Sequence, residues 1–318
     1  MNKYDTAIMP NQTTLQSSLK SLDTEEWLDI HFTRPLGLLW ARFFIRLGVH
    51  PNVVTVLSIF LGVAAGVLFY FDSFALNALG VLLLVWANIY DSTDGQMARM
   101  TGQKTRLGRI LDGAAGDFWF VAIYSAISLR LMPQNIPGTD VKWGVWIWLF
   151  CAFAGFVCHA KQCQLADYYR NIHLYFLKGK SGSELDSSPK LREEFATLSW
   201  GKDFLWKFFL MFYVNYTSAQ EKMTPRWQSL RRTLKETYGD GPAPEAVRQE
   251  FRKGSLPLMP LANASTFNLR AIALYVGILA AIPWLYPLFE VTVMNVIAYV
   301  MRQRHERLCA RIEANIKQ

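Results

Sequence analysis

Four aspartates lie between positions 91 and 117, and each is next to an apolar segment of membrane length. They are Asp91, Asp94, Asp112 and Asp117. A carboxylate at membrane depth costs roughly 3 kcal/mol even on mild insertion scales. Four carboxylates therefore need compensating charge. Divalent cations such as Mg²⁺ or Mn²⁺ are the expected partners, because they prefer hard oxygen ligands and share them with phosphates.

Small and basic residues surround the first two acids. On a helix Asp91 and Asp94 lie about 60° apart, so both carboxylates share one face. Gly95 and Ala98 let a bulky ligand approach the backbone, and Arg99 can reach an anion at the membrane surface. Two metal ions held here could bind a pyrophosphate and stabilise negative charge in a transition state.

The apolar blocks that must position these acids predict an all-α integral membrane protein. The chain is 52% hydrophobic and 14% aromatic. A bilayer core of about 30 Å needs roughly 20 helical residues. Six transmembrane helices are predicted, and an N-terminal amphipathic interfacial helix over residues 35–49 precedes them. The predicted spans are residues 52–71, 74–90 continuing into the acidic stretch, 110–131, 141–163, 269–286 and 288–301.

The net charge of +8 is concentrated in runs between apolar blocks. Basic loops favour the cytoplasm, which places both termini there and puts the acids at the cytoplasmic ends of the second and third spans. This alternation is typical of membrane topology, and no nucleic-acid partner is expected. The predicted divisions are an N-terminal cytoplasmic segment, catalytic spans one to four, a cytoplasmic or interfacial helical insertion before the fifth span, and spans five and six with a basic tail. Their bounds are 1–50, 51–175, 176–268 and 269–318.

The acidic stretch resembles the signature of the CDP-alcohol phosphotransferase family. The pattern is Asp-x2-Asp-Gly-x2-Ala-Arg-x8-Gly-x3-Asp. The resemblance implies transfer of a phosphatidyl group from a donor like CDP-diacylglycerol to a polar hydroxyl acceptor. CMP is released, and the reaction serves phospholipid biosynthesis. It also implies two Mg²⁺ or Mn²⁺ ions and a homodimer. By position, Asp91, Asp94 and Asp112 would ligand metal, and Gly95, Ala98, Arg99 and Gly108 would bind the donor.

The chain departs from the family at the fourth acid. The pattern expects it four residues after Asp112, where this chain has Gly116, and the acid follows as Asp117. Residues five apart on a helix diverge by about 140°. A π-bulge, eased by Gly113 and Gly116, would restore the face. We predict that Asp117 is a metal ligand and the general base for the acceptor hydroxyl. The alternative is a structural Asp117 and altered or lost catalysis.

Basic residues near the acids are candidates for acceptor binding. These are Arg106, Arg109, Lys161 and Arg170. Arginine suits bidentate phosphate contact, although anchoring at the inner leaflet would explain the same residues. Basic residues favour an anionic acceptor, and an inositol phosphate is preferred. Glycerol phosphate, a neutral alcohol and a lipid acceptor stay open.

Two other functions compete with phosphotransfer. An intramembrane cation transporter could use the aspartates as an ion path, but such carboxylates more often lie at the midplane on broken helices. Here the acids cluster at one leaflet, next to Gly95 and Ala98. A catalytically inactive family member is suggested only by the displaced fourth acid.

Overall fold

The computed structural model describes residues 21–318 except positions 104, 180, 181, 184 and 240. Regular structure in this part is helical, apart from an isolated bridge between Asn135 and Lys142. The helices of the first half are α1 (Arg34–Arg46), α2 (Pro51–Phe69), α3 (Phe74–Thr101), α4 (Arg106–Leu131) and α5 (Trp146–Ala152). They are followed by α6 (Ala160–Lys178), α7 (Ser188–Thr197), α8 (Phe204–Met223), α9 (Pro225–Tyr238), α10 (Glu245–Ser255), α11 (Met259–Ala264), α12 (Phe267–Leu279), α13 (Leu285–Phe289) and α14 (Asn295–Lys317).

Three helices of the described part are long and apolar enough to cross a membrane. They are α2, α3 and the Ile110–Leu131 part of α4. The all-α class is therefore confirmed for the described residues, and these three helices support an integral membrane protein. The predicted continuation of the second span into the acidic stretch is also correct, because α3 runs without a break to Thr101.

The later predicted spans correspond to interrupted helices. The helix predicted over 141–163 begins at Trp146 and passes through a π-helical turn, Phe153–His159, into α6. The last two predicted spans correspond to α12, the short α13, a π-helical turn (Glu290–Met294) and α14. The count of six spans and the cytoplasmic termini stay predictions.

The described chain divides into two compact units, and the first contains residues 21–64 and 82–119. In this unit α1 lies directly on α3. A β-carbon at Gly37 would come within 2.6 Å of the Gln96 amide nitrogen, so a larger residue here would displace the Gln96 amide. The rings of Trp40 and Phe44, on α1, each pack edge to face against Tyr90, on α3, at centroid distances of 5.5 Å. The predicted amphipathic helix is thus held against the helix that carries the first two acids.

The second unit contains residues 65–81 and 120–318. Its main core joins α6, α9, α10 and α14, and Phe176 stacks on Phe251 at 3.8 Å between centroids. Trp227 is fully buried in the same core. The segment predicted as an insertion therefore shares its core with the helices before and after it. The four-part division of the chain stays a prediction.

A buried ion pair stabilises the second unit. Arg270 donates from Nη1 to both carboxylate oxygens of Glu290, at 3.0 and 3.1 Å, and neither side chain is exposed. The Arg270 guanidinium also donates to the backbone oxygens of Ser265 and Thr266. Because Nη1 donates to both carboxylate oxygens and the other two guanidinium nitrogens donate to backbone oxygens, these hydrogen bonds offset the desolvation of both charges.

We predict that Gly62→Ala destabilises the first unit. A β-carbon at Gly62 would lie 2.1 Å from Cδ1 of Trp119, so α2 and α4 must separate or the indole must move. Overpacking of this kind costs about 1–3 kcal/mol. Thermal unfolding in detergent should show a lower melting temperature. Gly113→Ala is the matched control, since nothing lies within 4 Å of a β-carbon placed at that residue. Equal melting temperatures for both variants would refute this account.

Candidate metal and phosphate site

Three of the four predicted acids come together in the first unit. Asp91 and Asp94 lie near the end of α3, and Asp112 lies near the start of α4. One carboxylate oxygen from each falls within 4.8 Å of the other two. Asp94 is buried, Asp91 is half-buried and Asp112 is exposed, so the cluster is closed at Asp94 and open at Asp112.

The Asp94 carboxylate accepts hydrogen bonds from the Thr55 hydroxyl and the Gly95 backbone. The hydroxyl of Thr55, on α2, donates to Asp94 Oδ2. Asp94 Oδ1 is buried and has no hydrogen-bond partner among the described side-chain contacts. A buried acceptor without a side-chain partner is costly, so this oxygen favours a site that takes a cation.

Repulsion between the carboxylates also favours a bound cation. Asp112 repels both Asp91 and Asp94. Two charges at such a distance repel by roughly 3 kcal/mol per pair at the effective dielectric of a protein. Three oxygen ligands with an open side also suit Mg²⁺ or Mn²⁺, which keep positions for water and phosphate. The residues present therefore fit a divalent cation.

Arg99 is part of this arrangement. Gly95 and Arg99 are four residues apart on α3, and a β-carbon at Gly95 would lie 3.3 Å from Arg99 Nη1. The guanidinium thus folds back over Gly95. Arg99 also attracts Asp94 and Asp112 electrostatically. Ala98 is half-buried on the same helix. The glycine therefore makes room for the arginine.

Gly108 brings the start of α4 against the start of α2. Its backbone nitrogen donates to the Thr105 hydroxyl at 2.9 Å. A β-carbon at Gly108 would lie 3.0 Å from Asn52 Oδ1 and 2.9 Å from Thr105 Oγ1. Glycine at this position keeps Asn52 beside the start of α4. Its predicted role in donor binding stays a prediction.

Asp117 does not join the other three acids. Helix α4 is regular from Arg106 to Leu131, so the π-bulge predicted between Asp112 and Asp117 is wrong. Without the extra residue the two side chains diverge by about 140°. Asp117 is exposed, and the three-carboxylate group of the described residues does not contain it. The glycines did not cause a bulge, because a regular helix accommodates them.

Two of the predicted acceptor residues, Lys161 and Arg170, do not share a helix face. Lys161 is exposed and Arg170 is half-buried, both on α6 of the second unit. Nine residues of a regular helix turn the chain by about 900°, so these two side chains leave opposite faces. Arg106 and Arg109 lie on α4, and their side chains are outside the described part.

Two residues that contact the acidic site were not predicted from the sequence. Thr55 is one, although a polar Thr-x2-Ser step inside an apolar span was a visible signal. The other is Arg34, which donates to Glu25 at 2.9 Å and to Ser92 at 3.2 Å, next to Asp91. No spacing rule connects residue 34 with residue 92, because the contact depends on how α1 lies on α3.

Comparison with known proteins identifies the region that carries the site. Residues 48–172 match the family model described as CDP-alcohol phosphatidyltransferase. The chain is similar to the "Bifunctional IPC transferase and DIPP synthase" of Aquifex aeolicus, at 32% identity over 107 residues, which are 34% of this chain and 22% of that protein. It is also similar to the phosphatidylinositol phosphate synthase of Streptomyces avermitilis, at 36% identity over 100 residues, 31% of this chain and 39% of that protein. The match thus spans well under half of each relative.

We predict that Thr55→Val destabilises the protein more than Thr93→Val does. Both threonines are buried. Thr55 donates to Asp94, whereas Thr93 donates to the backbone oxygen of Ile89 in its own helix. Without Thr55, a second oxygen of Asp94 loses its partner, at a cost of about 1–3 kcal/mol. Melting temperatures without added metal test this, and an equal fall in both variants would contradict the role given to Thr55.

Proposed function

Since residues 48–172 match the family model described as CDP-alcohol phosphatidyltransferase, we propose that this protein transfers a phosphatidyl group from a CDP-linked lipid to a polar hydroxyl acceptor and releases CMP. The observation that carries the proposal is the cluster of Asp91, Asp94 and Asp112 within 4.8 Å. Within it, the buried Asp94 Oδ1 has no described side-chain hydrogen-bond partner. The donor would be CDP-diacylglycerol or a similar lipid.

Asp91, Asp94 and Asp112 would hold Mg²⁺ or Mn²⁺. When bound, the metal would neutralise diphosphate charge and act as a Lewis acid at phosphorus. The open side at Asp112 leaves room for substrate oxygens. Thr55 orients Asp94, so that one of its oxygens remains available for the ion. Arg99 would contact the donor phosphates, while Gly95, Ala98 and Gly108 would line the donor site.

The acceptor would lie on a glycine face of α4. Going around this helix from Asp112, Gly116 follows at about 40°, Gly113 at about 100° and Asp117 at about 140°. Nothing lies within 4 Å of a β-carbon built at either glycine. The two glycines thus form an open strip with an acid on each side. Asp117 would take the proton of an acceptor hydroxyl lying on this strip, and the resulting oxygen would attack phosphorus as CMP leaves.

An inositol phosphate is the proposed acceptor. One similar protein is a phosphatidylinositol phosphate synthase, which supports this choice over glycerol phosphate or a neutral alcohol. Lys161 and Arg170 diverge on α6, so at most one of them would bind a given phosphate. The exposed Lys161 is the better candidate. The cytoplasmic location of the site and the homodimer are also proposed.

A cation transporter is the second candidate. The same cluster of acids would then bind an ion in transit. The described acids lie at the ends of α3 and α4 with Arg99 folded against them, which suits a phosphate ligand better than a cation path. Release of CMP separates the two functions.

We predict that Asp94→Asn abolishes CMP release from CDP-diacylglycerol with inositol phosphate. Activity should require Mg²⁺ or Mn²⁺ and disappear with EDTA. Asp140→Asn is a control in an exposed loop and should behave as wild type. Loss of one charged ligand should lower Mn²⁺ affinity by at least about tenfold, or 1.4 kcal/mol. Mass spectrometry of CMP and Mn²⁺ titration measure the two effects. Full activity in EDTA would refute metal-dependent transfer.

We predict that Asp117→Asn lowers turnover by about a hundredfold or more, with Mn²⁺ binding unchanged, because a general base contributes 10²–10⁴-fold. Gly116→Asp in the Asp117→Asn background should not restore activity, because the new acid would lie about 40° from Asp112, inside the strip that receives the acceptor. Turnover near wild type in Asp117→Asn would remove Asp117 from the mechanism.

A further inference from the structure

Arg34, the first residue of α1, is tied to the helix that carries the acids. Its Nε donates to Glu25 Oε2 at 2.9 Å and its Nη2 to Glu25 Oε1 at 3.4 Å. Its Nη1 donates to the Ser92 hydroxyl at 3.2 Å, and Ser92 follows Asp91. The Glu25 side chain is only 1% exposed, whereas that of Arg34 is 18% exposed. The guanidinium is therefore oriented by buried groups but still reaches an open surface.

The backbone of α1 is held in the same place. Gln96 donates from Nε2 to the backbone oxygen of Arg34 at 3.1 Å and to Ser92 Oγ at 3.2 Å. One turn further along, a residue larger than Gly37 would displace the Gln96 amide. Position 34 thus has little freedom relative to the end of α3, so the arginine is part of the site's rigid frame.

Two guanidinium groups, those of Arg34 and Arg99, lie near the C-terminal end of α3. Arg34 attracts Asp91 and repels Arg99. Acidic groups already lie near both, with Asp91 near Arg34, Asp94 and Asp112 near Arg99, and Glu25 near each, so a phosphate would join an existing set of charges. The three hydrogen bonds of Arg34 use three of its five N–H groups, which leaves one on each terminal nitrogen for a ligand.

We propose that Arg34 binds the diphosphate of the CDP-linked donor together with Arg99, and that Glu25 and Ser92 are positioning residues for its guanidinium. The inference rests on the proposed function and names a donor contact outside residues 48–172. A planar guanidinium suits bidentate contact with phosphate oxygens. The N-terminal interfacial helix would then be part of the donor site as well as a membrane contact.

Nucleotide binding tests this without turnover. CDP and cytidine would be titrated onto the full-length protein with Mn²⁺ present, for wild type, Arg34→Gln, Arg34→Lys, Ser92→Ala and Arg46→Gln. Arg46 is the matched control, because it is exposed at the other end of α1. We expect Arg34→Gln to weaken CDP binding by about tenfold or more, as loss of a charged hydrogen bond does. Cytidine binding should not change.

Arg34→Lys should recover part of the CDP affinity, since it keeps the charge. Ser92→Ala should cause a smaller loss, because it removes one tether and leaves the guanidinium in place. The inference is overturned if Arg34→Gln binds CDP as Arg46→Gln does. It is also overturned if CDP and cytidine affinities fall equally together with the melting temperature, since Arg34 would then be structural. A wild-type protein that binds CDP but releases no CMP from any CDP-linked lipid would refute the proposed function separately.

Discussion

Mutual repulsion of three carboxylates is the constraint on which the rest of the site depends. Asp91, Asp94 and Asp112 are held within 4.8 Å by the ends of two apolar helices. Such a group is unfavourable unless positive charge is brought to it. The protein places two guanidinium groups, of Arg34 and Arg99, beside the acids. Neither is a described hydrogen-bond donor to Asp94 Oδ1, which stays available for a metal ion.

Close helix approach is what makes the cluster possible. Gly62 receives the indole of Trp119, and Gly108 lies against Asn52. Both contacts draw α2 and α4 together, and Thr55 then meets Asp94. In membranes, association of helices depends on packing of small residues more than on the hydrophobic effect. Each glycine therefore contributes to the position of an acid that lies elsewhere in the sequence.

The sequence predicted those features that depend on local pattern. Helices α2, α3 and α4, the amphipathic α1 and the meeting of the first three acids all follow from apolar run lengths and helical spacing. The predicted π-bulge is wrong, because α4 contains no extra residue in its turn that would bring the shifted Asp117 back to the face of Asp112. The π-helical turns of the described chain lie elsewhere, at Asp29–Thr33, Phe153–His159 and Glu290–Met294. Contacts such as Arg34 with Ser92 were not predictable, because they depend on how whole helices pack.

The displaced fourth acid becomes understandable once the helix is known to be regular. A carboxylate at position 116 would lie about 40° from Asp112 and add a fourth negative charge to an already repulsive group. At position 117 the acid is separated from that group by a strip of two glycines with open space above it. Its proton affinity is then less dependent on the metal-binding acids. A base on the far side of the strip would face a hydroxyl that approaches along the helix, so metal binding and proton removal would be assigned to separate carboxylates.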